Sequence, residues 1–235
     1  MSDHREIQAF YDKVYYKDAR TDNAVPRHLR RMATRFIKPG QQVLDVACGT
    51  GNWLMAVRDA GGLPSGIDLS PRAIDICKQQ MPEGEFHSGP AESLPFRTNA
   101  FDVITCLGSL EHFLDPVSAV KEMVRVSRKG ALFIILVPNS GFLTRRLGLY
   151  GGTHQVAARE DVRSLEEWNK IFESGGLKTT RRWKDLHVLS REWIGSRGWR
   201  YTPIRALQAL ALIFWPLSWQ YQVYHSLVAK QQPDH

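Results

Sequence analysis

The chain has 235 residues, a length that suits one α/β domain and allows a large buried core. Hydrophobic residues make up 43% of it, which excludes an intrinsically disordered chain. The net charge of +7 is compatible with an anionic ligand, a membrane surface or RNA, and a solvated basic surface is the plainer interpretation.

The three cysteines indicate a reducing compartment. Cys48, Cys77 and Cys106 are far apart in sequence and have neither the spacing of a metal site nor that of a disulfide framework. The first residues are polar and lack the apolar core of a secretory signal. We therefore expect a cytoplasmic protein and predict no metal site.

The N-terminal residues 1–40 predict cap helices that are rich in aromatic side chains. Tyr11, Tyr15 and Tyr16 favour either a lid over a bound ligand or ordinary helix packing, and the pattern does not choose between them.

The stretch from Val43 to Trp53 reads V-L-D-V-A-C-G-T-G-N-W and predicts a strand, a glycine loop and a helix N-terminus. Such a turn places backbone N–H groups beside a ligand. The third glycine of a dinucleotide fingerprint is missing, and no lysine follows the loop as in a P-loop. A carboxylate at the strand's end, Asp45, instead favours a ligand that carries positive charge.

Further strands and helices alternate along the chain. One predicted helix begins at Asp115-Pro116 and is ended by Gly130, and Ser164 with Glu167 forms a capping box for another. The predicted strands span 42–46, 65–69, 85–87, 101–107, 131–137, 177–183 and 219–229. This alternation predicts a doubly wound parallel sheet, whose ligands bind outside the carboxyl ends of the strands.

The last third is unusually apolar, since residues 206–229 carry no formal charge. Pro216 and several polar side chains argue against a membrane span, so we predict an apolar helix over 203–217 and then a strand. We expect one face of the helix to pack on the domain: Ile204, Leu207, Leu210, Ala211 and Phe214. The other face would meet an acyl substrate, a membrane interface or a second subunit: Leu212, Ile213, Trp215 and Leu217.

Four motifs within residues 41–138 resemble those of the class I S-adenosylmethionine-dependent methyltransferases. They are V-L-D-V-A-C-G-T-G, G-I-D-L-S, A-E-S-L-P-F and F-D-V-I-T-C-L-G-S-L-E-H-F-L-D-P. The chain is most similar to the small-molecule type found in ubiquinone and menaquinone biosynthesis. The resemblance implies a Rossmann-like seven-stranded, mostly parallel sheet with an antiparallel last strand and helical substrate-cap segments. We expect one domain over 1–235, with substrate-side insertions at 138–163 and 185–217.

The resemblance also implies the cofactor, S-adenosyl-L-methionine, and its contacts. The amino-acid end would lie at Asp45 and the glycine loop, the ribose at Asp68, and the adenine beside Leu69 and the loop that holds Glu92. The implied positions are Asp45, Ala47, Gly49, Gly51, Asp68, Leu69, Ala91, Glu92 and Leu107, and Tyr15 is added as a lid residue. Gly49 and Gly51 would let the backbone approach the ligand closely.

The acceptor is less well defined. His112 and His154 are the candidate general bases, and His112 is equally well interpreted as a structural histidine. Aromatic and apolar residues near the insertions predict a hydrophobic or aromatic acceptor, a lipid among them, methylated on O, N or C. The open alternatives are a catalytically silent cofactor-binding partner and an RNA methyltransferase. Peripheral membrane contact through 203–217 and the oligomeric state stay open as well.

Overall fold

A computed structural model describes Gln8, Asp12, Tyr16 and the ranges 25–148, 161–185 and 202–230. The seven described strands form one sheet. They are β1 Gln42–Val46, β2 Leu63–Asp68, β3 Glu85–Ser88, β4 Phe101–Leu107, β5 Ser127–Pro138, β6 Leu177–Lys184 and β7 Gln222–Ala229. Their order is β3-β2-β1-β4-β5-β7-β6. β7 lies between β5 and β6 and is antiparallel to both, whereas β1 to β5 are parallel. The predicted fold is confirmed.

Helices cover both faces of this sheet. In chain order they are α1 Arg27–Phe36, α2 Asn52–Asp59, α3 Pro71–Gln80, α4 Pro116–Val126, α5 Leu143–Arg146, α6 Leu165–Ser174 and α7 Thr202–Phe214. Two 3-10 turns, Leu110–His112 and Leu217–Trp219, follow β4 and α7. None of the helices in the described part of the chain is long and apolar enough to span a bilayer.

The central strands are buried on both faces because their apolar residues run without interruption. Phe133, Ile135 and Val137 of β5 belong to the core under α4 and α6, while Ile134 and Leu136 belong to the core under α1 to α3. Successive side chains of a strand point to opposite faces, so a continuous apolar run supplies two cores at once.

Side-chain caps begin three of the helices, and the caps of α4 and α6 lie where the sequence predicts them. Ser70 accepts a hydrogen bond from the Ala73 N–H at 3.1 Å and so caps α3. Asp115 caps α4, and the capping box of Ser164 and Glu167 is complete at the start of α6. These caps fix where the chain turns from the carboxyl edge of the sheet into each helix.

The predicted boundary between α4 and β5 is wrong. The helix ends at Val126, and residues 127–130, which were expected to continue it to Gly130, belong to β5. Ser127 pairs with Phe101, and the register then shifts before Val103 pairs with Leu132. Gly130 lies at this irregularity with φ +82° and therefore accommodates a bulge instead of ending a helix.

The predicted orientation of α7 is also wrong. Leu207, Leu210 and Phe214, expected to pack on the domain, are 67%, 54% and 80% exposed. Leu212, Trp215 and Leu217, expected to be exposed, are half-buried, and only Ile213 of that set is exposed as predicted. The helix ends at Phe214, ahead of Pro216, because a proline cannot continue the hydrogen-bond ladder.

Candidate functional site

A cleft of about 610 Å³, open at its mouth, lies at the carboxyl ends of β1, β2, β3 and β4. The lining residues are Tyr16, Ala47, Ile67, Asp68, Leu69, Gly89, Ala91, Glu92, Ser109, His112, Phe113 and Leu114. The described lining thus holds two carboxylates and neither lysine nor arginine, which favours a neutral or cationic ligand over a phosphate.

Half of this lining consists of residues that the sequence singled out: Ala47, Asp68, Leu69, Ala91, Glu92 and His112. They come from four loops that are distant in sequence and meet because parallel strands end at one edge of the sheet. Asp45, Gly49, Gly51 and Leu107 lie outside the lining. Tyr15 and His154 fall outside the described residues.

Asp68, the last residue of β2, fixes the glycine loop. The Gly49 N–H donates to Oδ2 and the Ser70 N–H to Oδ1, both at 2.9 Å. A carboxylate oxygen has two lone pairs, so each still has one for a ligand hydroxyl. Burial raises the pKa of Asp68 above its usual value, although these two backbone hydrogen bonds oppose the rise.

Asp45, in β1, lies behind the lining and is 3% exposed. Thr105 of β4 donates its hydroxyl to Oδ1 at 2.6 Å. Burial raises the pKa of Asp45 to about 7, and the negative charge of Asp68 adds to the rise. Two buried carboxyl groups therefore repel each other's charge, and a cation placed in the cleft would relieve that repulsion.

The two glycines of the loop are required for different reasons. A Cβ at Gly49, with φ +53°, would lie 2.9 Å from the hydroxyl oxygen of Tyr16, at the cleft side of the loop. A Cβ at Gly51, with φ +83°, would lie 2.8 Å from Cε of Met81 and 2.9 Å from Sγ of Cys77. Packing against α3 therefore gives a structural reason for glycine at position 51, and the expected approach of its backbone to a ligand stays a prediction.

The loop after β4 brings a histidine to the cleft. Leu107 packs in the core under α1 to α3, and the 3-10 turn that follows places His112 on the lining beside Phe113. The Asp161 N–H donates to the carbonyl of Glu111 at 3.1 Å, so the end of the long 138–163 insertion is attached to this turn.

Six lining residues were not predicted from the sequence: Tyr16, Ile67, Gly89, Ser109, Phe113 and Leu114. Tyr16 had a signal, because it stood among the lid candidates beside the chosen Tyr15. Asp12 accepts a hydrogen bond from the Ser70 hydroxyl, so two described residues of the N-terminal segment reach the edge of the cleft. Gly89 and Ser109 could not be predicted as lining residues, because small side chains of this kind do not indicate a binding role in a sequence.

Comparison with known proteins shows that this chain is similar to methyltransferases. Residues 44–135 match a family model described as a methyltransferase domain. A demethylmenaquinone methyltransferase of Renibacterium salmoninarum is 33% identical over 211 residues, covering 86% of this chain and 87% of that protein. A ubiquinone biosynthesis O-methyltransferase of Coxiella burnetii is 29% identical over 167 residues, covering 65% and 70%.

Solved structures share the fold at low identity. Phosphoethanolamine N-methyltransferase 2 of Haemonchus contortus, in complex with S-adenosyl-L-methionine, has a TM-score of 0.70 at 15% identity and covers 98% of this chain and 61% of that one. The PH0226 protein of Pyrococcus horikoshii has a TM-score of 0.64 at 19% identity and covers 94% and 98%.

Proposed function

Because the chain belongs to the class I S-adenosylmethionine-dependent methyltransferases, we propose that it methylates a hydrophobic aromatic acceptor of the quinol kind. The enzyme class and the donor, S-adenosyl-L-methionine, follow from the family. Two relatives carry names that refer to demethylmenaquinone and to ubiquinone biosynthesis, and they support this acceptor class.

The observation that carries the proposal is the cleft at the carboxyl edge of the sheet, whose lining combines two carboxylates with apolar side chains. When bound, the donor supplies a methyl group on a positively charged sulfur, already activated for displacement. Asp68 and Asp45 place negative charge on the β1–β2 side, and Leu69 and Ala91 offer apolar contact for an adenine. These residues fit a cationic nucleoside better than they fit a dinucleotide.

The other polar groups then have separate tasks in binding. Asp68 would accept hydrogen bonds from the two ribose hydroxyls with the lone pairs that the Gly49 and Ser70 hydrogen bonds leave. Glu92 would accept a hydrogen bond from the adenine amino group, and the Asp115 N–H donates to its Oε1 at 3.1 Å. Tyr16, whose hydroxyl lies against Gly49 on the cleft lining, would cover this side of the bound donor and keep water from it.

His112 serves as the base that prepares the acceptor. It lies on the same lining as Asp68 and Glu92, at the side formed by the turn after β4. A quinol hydroxyl that loses its proton to this imidazole becomes an electron-rich nucleophile at oxygen and at the ring carbon beside it. Phe113 and Leu114 supply apolar surface for the ring of such an acceptor.

The test is a methyl-transfer assay with isotope-labelled donor and a panel of acceptors. We expect transfer to reduced demethylmenaquinones or to polyprenylated catechols, with the methylated product identified by mass spectrometry. Phosphoethanolamine and total RNA are the comparison acceptors. Transfer to either of them, with none to any quinol or catechol, would contradict the proposed acceptor class.

A further inference from the structure

Helix α7 exposes a continuous apolar stripe. At 100° per residue, six of its exposed residues fall within about a third of the circumference. These residues, here called the α7 stripe, are Pro203, Ala206, Leu207, Leu210, Ile213 and Phe214. The described side chains on the rest of the helix are half-buried, so the stripe is the face turned away from the domain.

The helix is attached to the carboxyl edge of the sheet, where the cleft lies. The Lys184 ammonium, at the end of β6, donates to the carbonyls of Leu212 at 3.2 Å and Ile213 at 2.6 Å. Gln220 donates to the same Leu212 carbonyl at 3.0 Å. Asn139, directly after β5, donates to the carbonyls of Ser218 and Gln220, so the turn after α7 is held at this edge too.

Basic side chains lie beside this attachment. Arg145 and Arg146 of α5 are exposed, and the neighbouring Leu147 is 60% exposed. A Cβ built on Gly141 would be 3.5 Å both from Nη2 of Arg146 and from the Ser218 carbonyl, which places this arginine near the turn after α7. Helix α7 itself contains Arg205 and no acidic residue.

We infer that the α7 stripe and the two arginines of α5 form a docking surface for a bilayer that contains anionic phospholipid. Large apolar side chains enter the acyl boundary, and arginines beside them bind lipid phosphates. This inference rests on the proposed function, since a lipid quinol resides in the bilayer and the docked edge is the one that holds the cleft. The arginines favour a bilayer over a second copy of this chain, whose corresponding edge carries the same positive charge.

Flotation with vesicles tests the inference. Wild-type protein is expected to float with vesicles of equal parts phosphatidylcholine and phosphatidylglycerol, and less with phosphatidylcholine alone or in high salt. The Leu210→Glu/Phe214→Glu variant should bind the vesicles at least about tenfold more weakly, because it lacks two large apolar side chains that would be buried in the bilayer. Arg145→Glu/Arg146→Glu should lose the preference for phosphatidylglycerol.

The matched control is Leu63→Glu, which changes a leucine that is 44% exposed at the amino-terminal end of β2, on the opposite edge of the sheet. It should float as wild type does. Equal flotation of wild type and the Leu210→Glu/Phe214→Glu variant would overturn the inference. So would a wild-type dimer in light scattering that this variant converts to a monomer, because the stripe would then be covered by a second copy.

A water-soluble, short-chain quinol separates this inference from the proposed function. Its methylation should be equal in wild type and the Leu210→Glu/Phe214→Glu variant, whereas the KM for a vesicle-embedded quinol should rise in the variant. Normal turnover of the soluble quinol without flotation would overturn the docking surface alone. Flotation without methylation of any quinol would overturn the proposed function alone.

Discussion

At the scale of single residues, we propose that two carboxyl groups near the ends of neighbouring strands account for the choice of ligand. Asp68 has its oxygens held by two backbone N–H groups, whereas Asp45 receives a hydroxyl from Thr105 and lies deeper. Their roles are therefore different. Asp68 offers directed acceptor positions to the ligand, and Asp45 contributes charge through a poorly solvated environment.

Asp45 should lower the stability of the protein above mildly acidic pH. Its folded-state pKa of about 7 exceeds the ordinary value of 3.8, so the folded protein holds more protons than the unfolded chain between these pH values. Stability then falls as pH rises through this window and stays reduced above it. Asp45→Asn, which keeps the shape without the charge, should raise Tm at pH about 8 and lose that advantage toward pH about 4.

Calorimetric melting of wild type and Asp45→Asn across this range is the measurement. The variant should also bind the donor more weakly, because the cationic donor loses the negative charge that Asp45 contributes from behind the lining. A Tm difference that is the same at every pH would contradict the account of Asp45. Asp59→Asn, an exposed aspartate at the end of α2, is the control and should leave both quantities unchanged.

His112 should affect turnover and leave donor binding intact. His112→Ala removes the base on the acceptor side of the cleft, and we expect turnover of a quinol to fall about 10²-fold or more. Titration of the donor should give an unchanged Kd. If His112→Ala turned over the quinol as fast as wild type, His112 would not be the base and would only position the turn after β4.

At the scale of elements, the sequence predicted all seven described strands in order and missed the start of β5 and the orientation of α7. β1 and β4 have the predicted bounds because each is an apolar run with clear turn residues on either side. The start of β5 was missed because Ser127 to Gly130 are polar and pair only through an irregular register with β4. Hydrophobicity does not report such a bulge.

The face of α7 was missed for another physical reason. Its residues are apolar nearly all round, so helical periodicity does not distinguish a buried stripe from an exposed one. Contacts outside the helix hold it in its observed orientation. Among them, Lys184 and Gln220 donate hydrogen bonds to carbonyls at the end of the helix. Both side chains lie outside the helix, so no pattern within the helix contains the information.

The contact between the glycine loop and α3 predicts a large cost at Gly51. An alanine there meets Met81 and Cys77 and must also adopt φ +83°, so Gly51→Ala should lower the free energy of unfolding by roughly 2–4 kcal/mol. Gly40→Ala is the matched control, with φ +81° and nothing within 4 Å of the new methyl group. It should cost only about 1 kcal/mol, from backbone strain. Urea unfolding measures both, and equal losses would show that the packing contact contributes nothing.

At the scale of the whole molecule, one edge of the sheet gathers the chemistry. The carboxyl ends of β1, β2, β3 and β4 form the cleft, the N-terminal segment reaches it through Asp12 and Tyr16, and α7 is attached at the far end of the same edge. Half of the described cleft lining could be predicted from sequence because those residues lie at or just after strand ends. The acceptor side depends on helices whose placement is set by long-range contacts, so its geometry could not be predicted.

The central claim is that this cleft binds S-adenosyl-L-methionine through Asp68, and calorimetric titration tests it most directly. Wild type should bind one equivalent of the donor, and Asp68→Asn should lose at least about tenfold in affinity, because an amide cannot accept from both ribose hydroxyls while keeping the Gly49 and Ser70 hydrogen bonds. Circular dichroism establishes that the variant is folded. A folded Asp68→Asn protein that binds the donor as tightly as wild type would contradict the claim.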